Sequence, residues 1–208
     1  MELQKVNVKF FMAEANTVPL TDFIDLFHGW IQAGDGVYLD VADYSHMQAG
    51  PGIVLVAGDA NVSIDETGNR RGLLYNYKNH LYGSNNERLR GTVKSALENC
   101  MRLEDEPSLG GKVRFLGNEL SVSVNDRLVA PNSEESFREI ENEIVSFARD
   151  LYGDSEIRLE RDTDPRRTFS IRIKAACALN LKELRQRLQK NQGEGEERDN
   201  DVRRTTFS

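Results

Sequence analysis

Alternation of apolar and polar side chains within residues 4 to 12 constrains the fold more than any other feature of this sequence. Successive side chains point to opposite faces in a β-strand, whereas a helix repeats every 3.6 residues. The segment is therefore predicted to be a strand with one buried face. That face carries Val6, Val8, Phe10 and Met12, and the opposite face carries Lys5, Asn7 and Lys9.

An amphipathic helix is predicted to pack on this strand. Apolar side chains recur at helical spacing between Leu20 and Ile31, Pro19 suits the first turn, and Gly34 suits the end of the helix. The polar face of the same segment includes His28. This histidine is therefore expected to be solvated rather than to bind a ligand.

Further strands are predicted in the front half of the chain, residues 1–83. Residues 37–43 are predicted to form one strand, and residues 53–57 form a continuous apolar run typical of a central strand that is buried on both faces. Residues 61–65 and 73–77 are predicted to form a hairpin. The front half is therefore expected to be a mostly antiparallel sheet that carries one helix.

Two helices organise the back half, residues 84–178. Apolar periodicity predicts a helix over residues 85–105 and another over residues 133–152. The second helix has Asn132 or Ser133 as its N-cap and Gly153 at its end.

Each of these helices is predicted to be followed by two strands. Gly117-Asn118 fits a two-residue hairpin turn, because it places Phe115 opposite Leu120 and keeps apolar residues paired. The second strand pair falls near residues 157–159 and 169–173. The back half is therefore predicted to contain two helix, strand, strand units, a structural repeat with almost no residue identity.

The last part of the chain, residues 179–208, is predicted to start with a short helix and to end as a disordered charged tail. Leu181, Leu184 and Leu188 have helical spacing, whereas the residues after Gln192 offer little apolar surface to offset the entropy of ordering. The fold class that follows is α+β, with helices packed on one face of mostly antiparallel strands.

The net charge of the chain limits the classes of partner that it is expected to bind. The 208 residues include 34 acidic and 27 basic side chains, which gives a net charge of −7. Because nucleic-acid binders carry a basic stripe that displaces counterions, no nucleic-acid partner is expected, and no anionic membrane surface either. The first residues lack a signal-peptide pattern, and the two cysteines are expected to stay reduced, so that a cytoplasmic location is predicted.

Six polar or turn-forming residues of the front half are the candidate ligand site. They share positions at the ends of neighbouring predicted strands or in the loop between them. The six are Asp40, Asp43, His46, Gly50, Gly52 and Asp59. Carboxylate and imidazole groups can hold a divalent metal ion, and a carboxylate beside a histidine can act as a general base.

A structural interpretation competes with this site. Strand alternation places Asp40 and Asp43 on opposite faces unless the strand ends or bulges at Ala42. The Gly50-Pro51-Gly52 turn leaves backbone amides open to an anion, but a strand that enters a crowded sheet needs such a turn as well. No cofactor is indicated by either interpretation, and a small-molecule ligand stays open.

Two further pairs of residues are candidates for contact with a partner. Tyr75 and Tyr77 lie on a predicted strand, where packing in a core or an interface explains aromatic side chains. Arg166 and Arg167 lie at the tip of the last predicted hairpin, where they are open to an acidic partner or to solvent.

Three segments carry a resemblance to known sequences: Tyr38-Leu39-Asp40-Val41-Ala42-Asp43-Tyr44, Ala49-Gly50-Pro51-Gly52-Ile53 and Asn69-Arg70-Arg71-Gly72-Leu73-Leu74-Tyr75. With them the chain resembles, from about residue 3 to residue 175, a family of bacterial proteins known only as hypothetical. The resemblance implies a bacterial, cytoplasmic setting. It carries no activity, cofactor, partner or site residue.

Two functions are consistent with the sequence. The first is a non-enzymatic association module, a homo-oligomer that covers exposed sheet edges or its tyrosine-bearing strands by pairing with itself. The alternative is a small-molecule or metal-dependent enzyme with its site around the loop 43–52 and Asp59. That alternative requires the candidate carboxylates and His46 to converge.

Overall fold

The computed structural model describes residues 1–13, 18–34, 36–48 and 50–190. These residues form eight strands and four helices, and the predicted tail after Gln192 lies outside the described residues. The strands are β1 (Val6–Met12), β2 (Tyr38–Tyr44), β3 (Gly52–Ala57), β4 (Ala60–Asp65), β5 (Gly72–Tyr77), β6 (Phe115–Val124), β7 (Ile157–Arg161) and β8 (Ser170–Ala175). The helices are α1 (Asp22–Ala33), α2 (Asn85–Glu104), α3 (Glu134–Tyr152) and α4 (181–190).

All eight strands belong to one antiparallel sheet with the order β2-β3-β4-β5-β1-β6-β8-β7. The strand predicted first from its alternation, β1, lies between β5 and β6 and is buried along its whole length. Among the described residues, β2 and β7 each pair on one side only, and they are the open edges of the sheet. The predicted α+β class is therefore confirmed.

One face of the sheet forms the hydrophobic core with the helices. Val8 of β1 pairs with Tyr75 of β5 and with Val122 of β6, and the same row of side chains continues to Leu55 of β3 and Val41 of β2. Helix α2 packs on β1 and β5, α1 on β2 and β3, and α3 on β7. Buried side chains of β1, β3, β5, β6 and the three helices belong to a single core cluster, and partly buried side chains of β2 and β7 pack against it.

The predicted ends of α2 and α3 agree closely with the structure, whereas Pro19 lies before α1, which begins at Asp22. Helix α2 begins with a capping box, in which Ser84 accepts from the backbone N–H of Glu87 and the Glu87 carboxylate accepts from the backbone N–H of Ser84. Ser133 is the N-cap of α3, and Gly153 follows its last turn. Such caps satisfy backbone groups that a helix end leaves unpaired.

The predicted hairpin turn at Gly117-Asn118 is wrong. Both residues lie inside one continuous strand, β6, which pairs with β1 on one side and with β8 on the other. A Cβ atom on Gly117 would lie 1.8 Å from the carbonyl oxygen of Leu179, so this glycine permits a close backbone approach rather than a turn. The first predicted helix, strand, strand unit therefore contains one strand, and the two units are not equivalent.

The predicted position of residues 53–57 needs a smaller correction. Strand β3 is buried on both faces along most of its length, as expected, but it lies next to the open edge strand β2 rather than at the centre of the sheet. The centre of the sheet is formed by β5 and β1.

Candidate functional site

The two candidate carboxylates of β2 lie on opposite faces of the sheet. Asp40 pairs with Val56 and Asp43 with Ile53, with no irregularity between these two positions. The one irregularity of this strand pair lies earlier, between Tyr38 and Asp40. Asp40 and Asp43 therefore point apart, as strand alternation predicted, and cannot share one metal ion.

His46 and Asp59 lie at opposite ends of the β2–β3 strand pair. Tyr44 pairs with Gly52 at the end next to His46, whereas Tyr38 pairs with Ala57 at the end next to Asp59. Six residue steps at roughly 3.3 Å each separate these ends by about 20 Å. Asp59 instead accepts a hydrogen bond from the side chain of Asn79.

Asp43 and His46 are the candidates that remain close to each other. The side chain and the backbone N–H of Ser45 lower the pKa of the Asp43 carboxyl by hydrogen bonding, and the charge of His46 adds a smaller effect in the same direction. Both side chains are exposed. This arrangement is an ordinary capped turn rather than an enclosed catalytic pair.

The glycines of the candidate loop allow the backbone to pack closely against neighbouring backbone atoms. A Cβ atom on Gly52 would lie 2.1 Å from the carbonyl oxygen of Ile64, and Gly52 has a φ of 62° that favours glycine. The carbonyl oxygen of Gly50 accepts a hydrogen bond of 3.1 Å from the N–H of Glu66. These contacts match the structural interpretation of the turn.

The candidate tyrosines lie on β5, which is paired on both sides. Both side chains are half-buried. Burial raises the pKa of the Tyr75 phenol, and a hydrogen bond with Ser95 of α2 opposes that shift. A partner could reach this strand only through its side chains, because neighbouring strands occupy its backbone groups.

The candidate arginines lie in the loop between β7 and β8. Arg166 forms two hydrogen bonds with Asp164, of 3.0 and 2.9 Å, and Arg167 pairs with Asp162 at 3.1 Å. Both guanidinium groups remain exposed. They stabilise their own loop and also give it a positive surface.

The open edge strand β2 gathers exposed apolar side chains. The name β2 edge stands below for the unpaired side of Tyr38–Tyr44 and the exposed apolar side chains on or next to this strand. These side chains are Val37, Leu39, Tyr44 and Met47, and that of Leu39 is 61% exposed. Large apolar side chains clustered on an unpaired strand are typical of an interaction surface.

The side chain of Asp40 accepts a hydrogen bond from one backbone N–H group of the β2 edge. The N–H of Val41 donates to the carboxylate of Asp40 at 2.8 Å. Because alternate residues of an edge strand direct their N–H and C=O groups away from the sheet, this bond assigns Val41 to the outward set. The β2 edge therefore has an outward backbone donor that its own Asp40 satisfies.

The second edge strand, β7, differs from β2. Its apolar side chains are half-buried, and exposed Arg158 and Glu160 alternate with them. Arg161 is tied to the start of α3 through Glu134 at 3.5 Å and Asn132 at 3.1 Å. Exposed charged side chains oppose strand pairing on both edges, Asp40 and Asp43 on β2 and Arg158 and Glu160 on β7. The two edges differ in that large exposed apolar side chains occur at β2.

The helix-free face of the sheet carries a buried ionic cluster that sequence reasoning missed. Lys9 pairs with Asp65 at 2.5 Å, and both side chains are almost fully buried. Next to them Glu119 binds Arg70, whose guanidinium lies 4.0 Å from the centroid of the Phe11 ring. Lys9 and Asp65 are 56 positions apart, so only the strand order brings them together.

This ionic cluster stabilises the fold but does not form an open site. Asp65 also accepts hydrogen bonds from the hydroxyl and the N–H of Thr67, at 2.7 and 3.2 Å. The carbonyl oxygen of Thr67 in turn accepts from Lys9 at 3.2 Å. The loop after β4 thus covers the pair and excludes a ligand from it.

Neither the comparisons with known proteins nor the positions of metal-binding side chains assign a function to the chain. No protein-family model matches the chain, and no curated protein matches it. Across the described ranges, no three His, Cys, Asp or Glu side chains group in a way that could hold a metal ion. Within the same part of the chain, no helix is both long and apolar enough to cross a membrane. The resemblance to hypothetical bacterial proteins stays a prediction.

Proposed function

We propose that this protein is a non-enzymatic module that associates with a second copy of itself through the β2 edge. The observation that carries the proposal is the concentration of exposed apolar side chains on this unpaired strand. Val37, Leu39, Tyr44 and Met47 all lie within or directly beside it. The apolar side chains of the opposite edge strand, β7, are half-buried.

The energy available at the β2 edge is adequate for association. Fully burying one leucine, valine or methionine side chain contributes about 1.5 to 3 kcal/mol. The apolar side chains of the β2 edge are 41% to 61% exposed, so each contributes roughly half of that. Pairing of the edge adds hydrogen bonds to backbone groups that now face solvent. Association must offset the lost freedom of two chains, which several such side chains together can do.

The alternative enzyme has less support. It needs the candidate carboxylates to converge with His46, whereas Asp40 and Asp43 occupy opposite faces and Asp59 lies at the far end of the strand pair. Among the six candidate residues in the described part of the chain, no hydrogen bond or ion pair joins one to another. The residues of this region form turns and an edge strand.

The mass of the protein in solution tests the proposal. Sedimentation velocity of the full chain across the micromolar range should reveal a species of twice the 23.6 kDa chain mass. Leu39→Lys should shift the protein to the monomer, because it places a charge on the β2 edge. Leu128→Lys is the matched control, since Leu128 is 96% exposed and lies in a loop away from β2.

Two results would overturn the proposal. The first is a wild-type protein that remains a monomer throughout this concentration range. The second is a dimer that Leu39→Lys and Leu128→Lys affect equally, because the contact would then lie elsewhere. Circular dichroism of both variants would show whether they retain the fold.

A further inference from the structure

We infer that one end of the sheet docks on an anionic membrane surface through two neighbouring loops. The first loop, residues 125–133, joins β6 to α3, and the second, residues 162–169, joins β7 to β8. The name loop tip stands below for five exposed side chains of these loops. They are Arg127, Leu128, Val129, Arg166 and Arg167. The inference does not depend on the proposed association through the β2 edge.

The apolar part of the loop tip projects into solvent. Leu128 is 96% exposed, the highest value among the exposed large apolar side chains of the described residues, and Val129 beside it is 45% exposed. A leucine this exposed contributes nothing to the core of its own chain. It is placed to enter an apolar environment outside the protein.

Hydrogen bonds hold Leu128 in its exposed position. The Asp126 carboxylate accepts from the backbone N–H of Leu128 at 3.1 Å and from that of Val129 at 3.3 Å. Lys5 of the neighbouring chain segment pairs with the same carboxylate at 3.3 Å. The next residue of the loop, Ala130, is fully buried. The loop is therefore ordered before it binds, which lowers the cost of docking.

The two loops form one surface. The guanidinium of Arg127 donates to the backbone carbonyl of Arg166, and the side-chain amide of Asn132 donates to the carbonyl of Asp164 at 2.8 Å. Each contact joins the first loop to the second. The second loop therefore brings its exposed arginines to the surface from which Leu128 projects.

Guanidinium groups form the outer layer of the loop tip. Arg166 is 88% exposed, whereas its partner Asp164 is 28% exposed, and Arg167 is likewise more exposed than its partner Asp162. Arg127 is exposed and has no ion-pair partner among the described residues. An anionic surface thus meets the arginines before the carboxylates. Each basic side chain near such a surface strengthens binding about fivefold.

An exposed tyrosine lies at the same end of the sheet. Tyr82, which is 84% exposed, lies in the loop after β5, and the side chain of Gln4 binds the backbone of the preceding residue, Leu81, at 2.9 and 2.8 Å. The residue after Gln4 is Lys5, which binds Asp126 of the first loop. Tyrosine is enriched where headgroups meet the hydrocarbon of a bilayer. Tyr82 therefore suits the same interface as Leu128.

A bilayer fits the loop tip better than a protein partner does. A protein would need a pocket shaped for the projecting Leu128, whereas lipid chains adapt to an inserted side chain. The net charge of −7 predicted no anionic membrane partner. Charges farther away than about 8 Å are largely screened at physiological salt, so the acidic remainder of the chain opposes docking only weakly.

Tryptophan fluorescence of the full chain tests insertion directly. The chain has one tryptophan, Trp30, which is buried, so Leu128→Trp adds a single exposed reporter. The probe is a vesicle of phosphatidylcholine and phosphatidylserine in a two-to-one ratio. The emission of this variant should shift to shorter wavelength on mixing, and lipids brominated on their acyl chains should quench it.

Cosedimentation with the same vesicles measures the contribution of each side chain. Leu128→Gln should weaken binding about tenfold or more, because it removes the inserted apolar group. Arg166→Gln and Arg167→Gln should each weaken it about fivefold. Arg138→Gln is the matched control, since this arginine is 75% exposed on α3 outside the loop tip, and it should bind like the wild type.

Four results would overturn the inference. Emission of Leu128→Trp that neither shifts nor is quenched would show that the loop does not insert. Equal binding of Leu128→Gln and wild type would have the same meaning. Equal losses in Arg138→Gln and Arg166→Gln would show attraction by total charge alone. Binding that is as strong to pure phosphatidylcholine would exclude recognition of an anionic surface.

Discussion

The carboxylate of Asp40 accepts a hydrogen bond of 2.8 Å from the backbone N–H of the next residue, Val41, on the open edge of the sheet. An edge strand with free backbone donors can pair with any exposed strand, which leads to aggregation. Asp40 satisfies such a donor and also adds a negative charge to the edge. Asp40 therefore opposes aggregation of the monomer and also opposes formation of the proposed dimer.

Replacing Asp40 should strengthen self-association. Asp40→Ala frees the N–H of Val41 and removes an exposed negative charge from the β2 edge of each copy. A gain of about 1 kcal/mol corresponds to roughly a fivefold lower dissociation constant of the dimer. Sedimentation equilibrium measures this constant directly.

Asp59→Ala is the matched control for Asp40→Ala. It removes one exposed carboxylate from the neighbouring turn and leaves the β2 edge intact. It should leave the dissociation constant nearly unchanged. Equal effects of the two substitutions would mean that net charge alone, rather than the Asp40–Val41 bond, controls association.

Replacing Asp65 should cost more stability than replacing Lys9, although the two residues form one buried pair. Asp65→Ala leaves the Lys9 ammonium buried with the Thr67 carbonyl as its hydrogen-bond acceptor, and breaking a buried pair this way costs about 3 to 5 kcal/mol. Lys9→Met should cost less, because Asp65 keeps two hydrogen bonds from Thr67. Urea unfolding of both variants gives the two free energies.

The double variant completes this test. Adding Lys9→Met to Asp65→Ala should recover much of the lost stability, because it removes the unpaired buried charge. If the double variant is less stable than Asp65→Ala alone, the ammonium is not the source of the cost. The Thr67 contacts with Asp65 would then be the main contribution.

The capping box of α2 should make stability depend on pH in the acidic range. Hydrogen bonds from the backbone and the hydroxyl of Ser84 lower the pKa of Glu87 below its ordinary value of 4.5. A lowered pKa means that this stabilisation is fully present above pH 4.5 and is lost as the pH falls through the lower folded-state value.

Thermal unfolding as a function of pH measures the effect of the capping box. Glu87→Ala should be less stable than wild type at neutral pH, and the difference should shrink below pH 4.5 as Glu87 becomes protonated. Ser84→Ala should cost about 1 kcal/mol near neutral pH through loss of the cap. A difference between Glu87→Ala and wild type that stays constant with pH would contradict this account.

Local periodicity was sufficient to predict most elements. The alternation around Val8 predicted β1, the spacing from Leu20 to Ile31 predicted α1, and cap residues such as Ser133 located the helix ends. Each of these signals depends on neighbours within a few residues. Alternation also predicted that Asp40 and Asp43 point apart, which the structure confirms.

Features that depend on strand order were not predictable in this way. The exposure of Leu39 follows from the position of β2 at an edge, and the Lys9–Asp65 pair follows from the proximity of β1 and β4 across β5. His46 and Asp59 were expected near one another because each follows a strand. Antiparallel pairing of β2 with β3 instead places them at opposite ends.

The wrong hairpin turn leads to the last prediction, which concerns Gly117. Two-residue turn chemistry and an apolar match across it favoured a hairpin, but β6 gains more by pairing with β1 and β8 at once. Gly117→Ala would place a Cβ atom 1.8 Å from the Leu179 carbonyl oxygen, so the backbone must shift. The expected loss of stability is about 1 to 3 kcal/mol or more.

Gly91→Ala is the matched control for this change. Gly91 lies inside α2, no heavy atom lies within 4 Å of its added Cβ, and alanine favours a helix over glycine by up to about 1 kcal/mol. The same substitution should therefore stabilise the protein at one position and destabilise it at the other, as measured by urea unfolding. A neutral Gly117→Ala would contradict the close approach of β6 to Leu179.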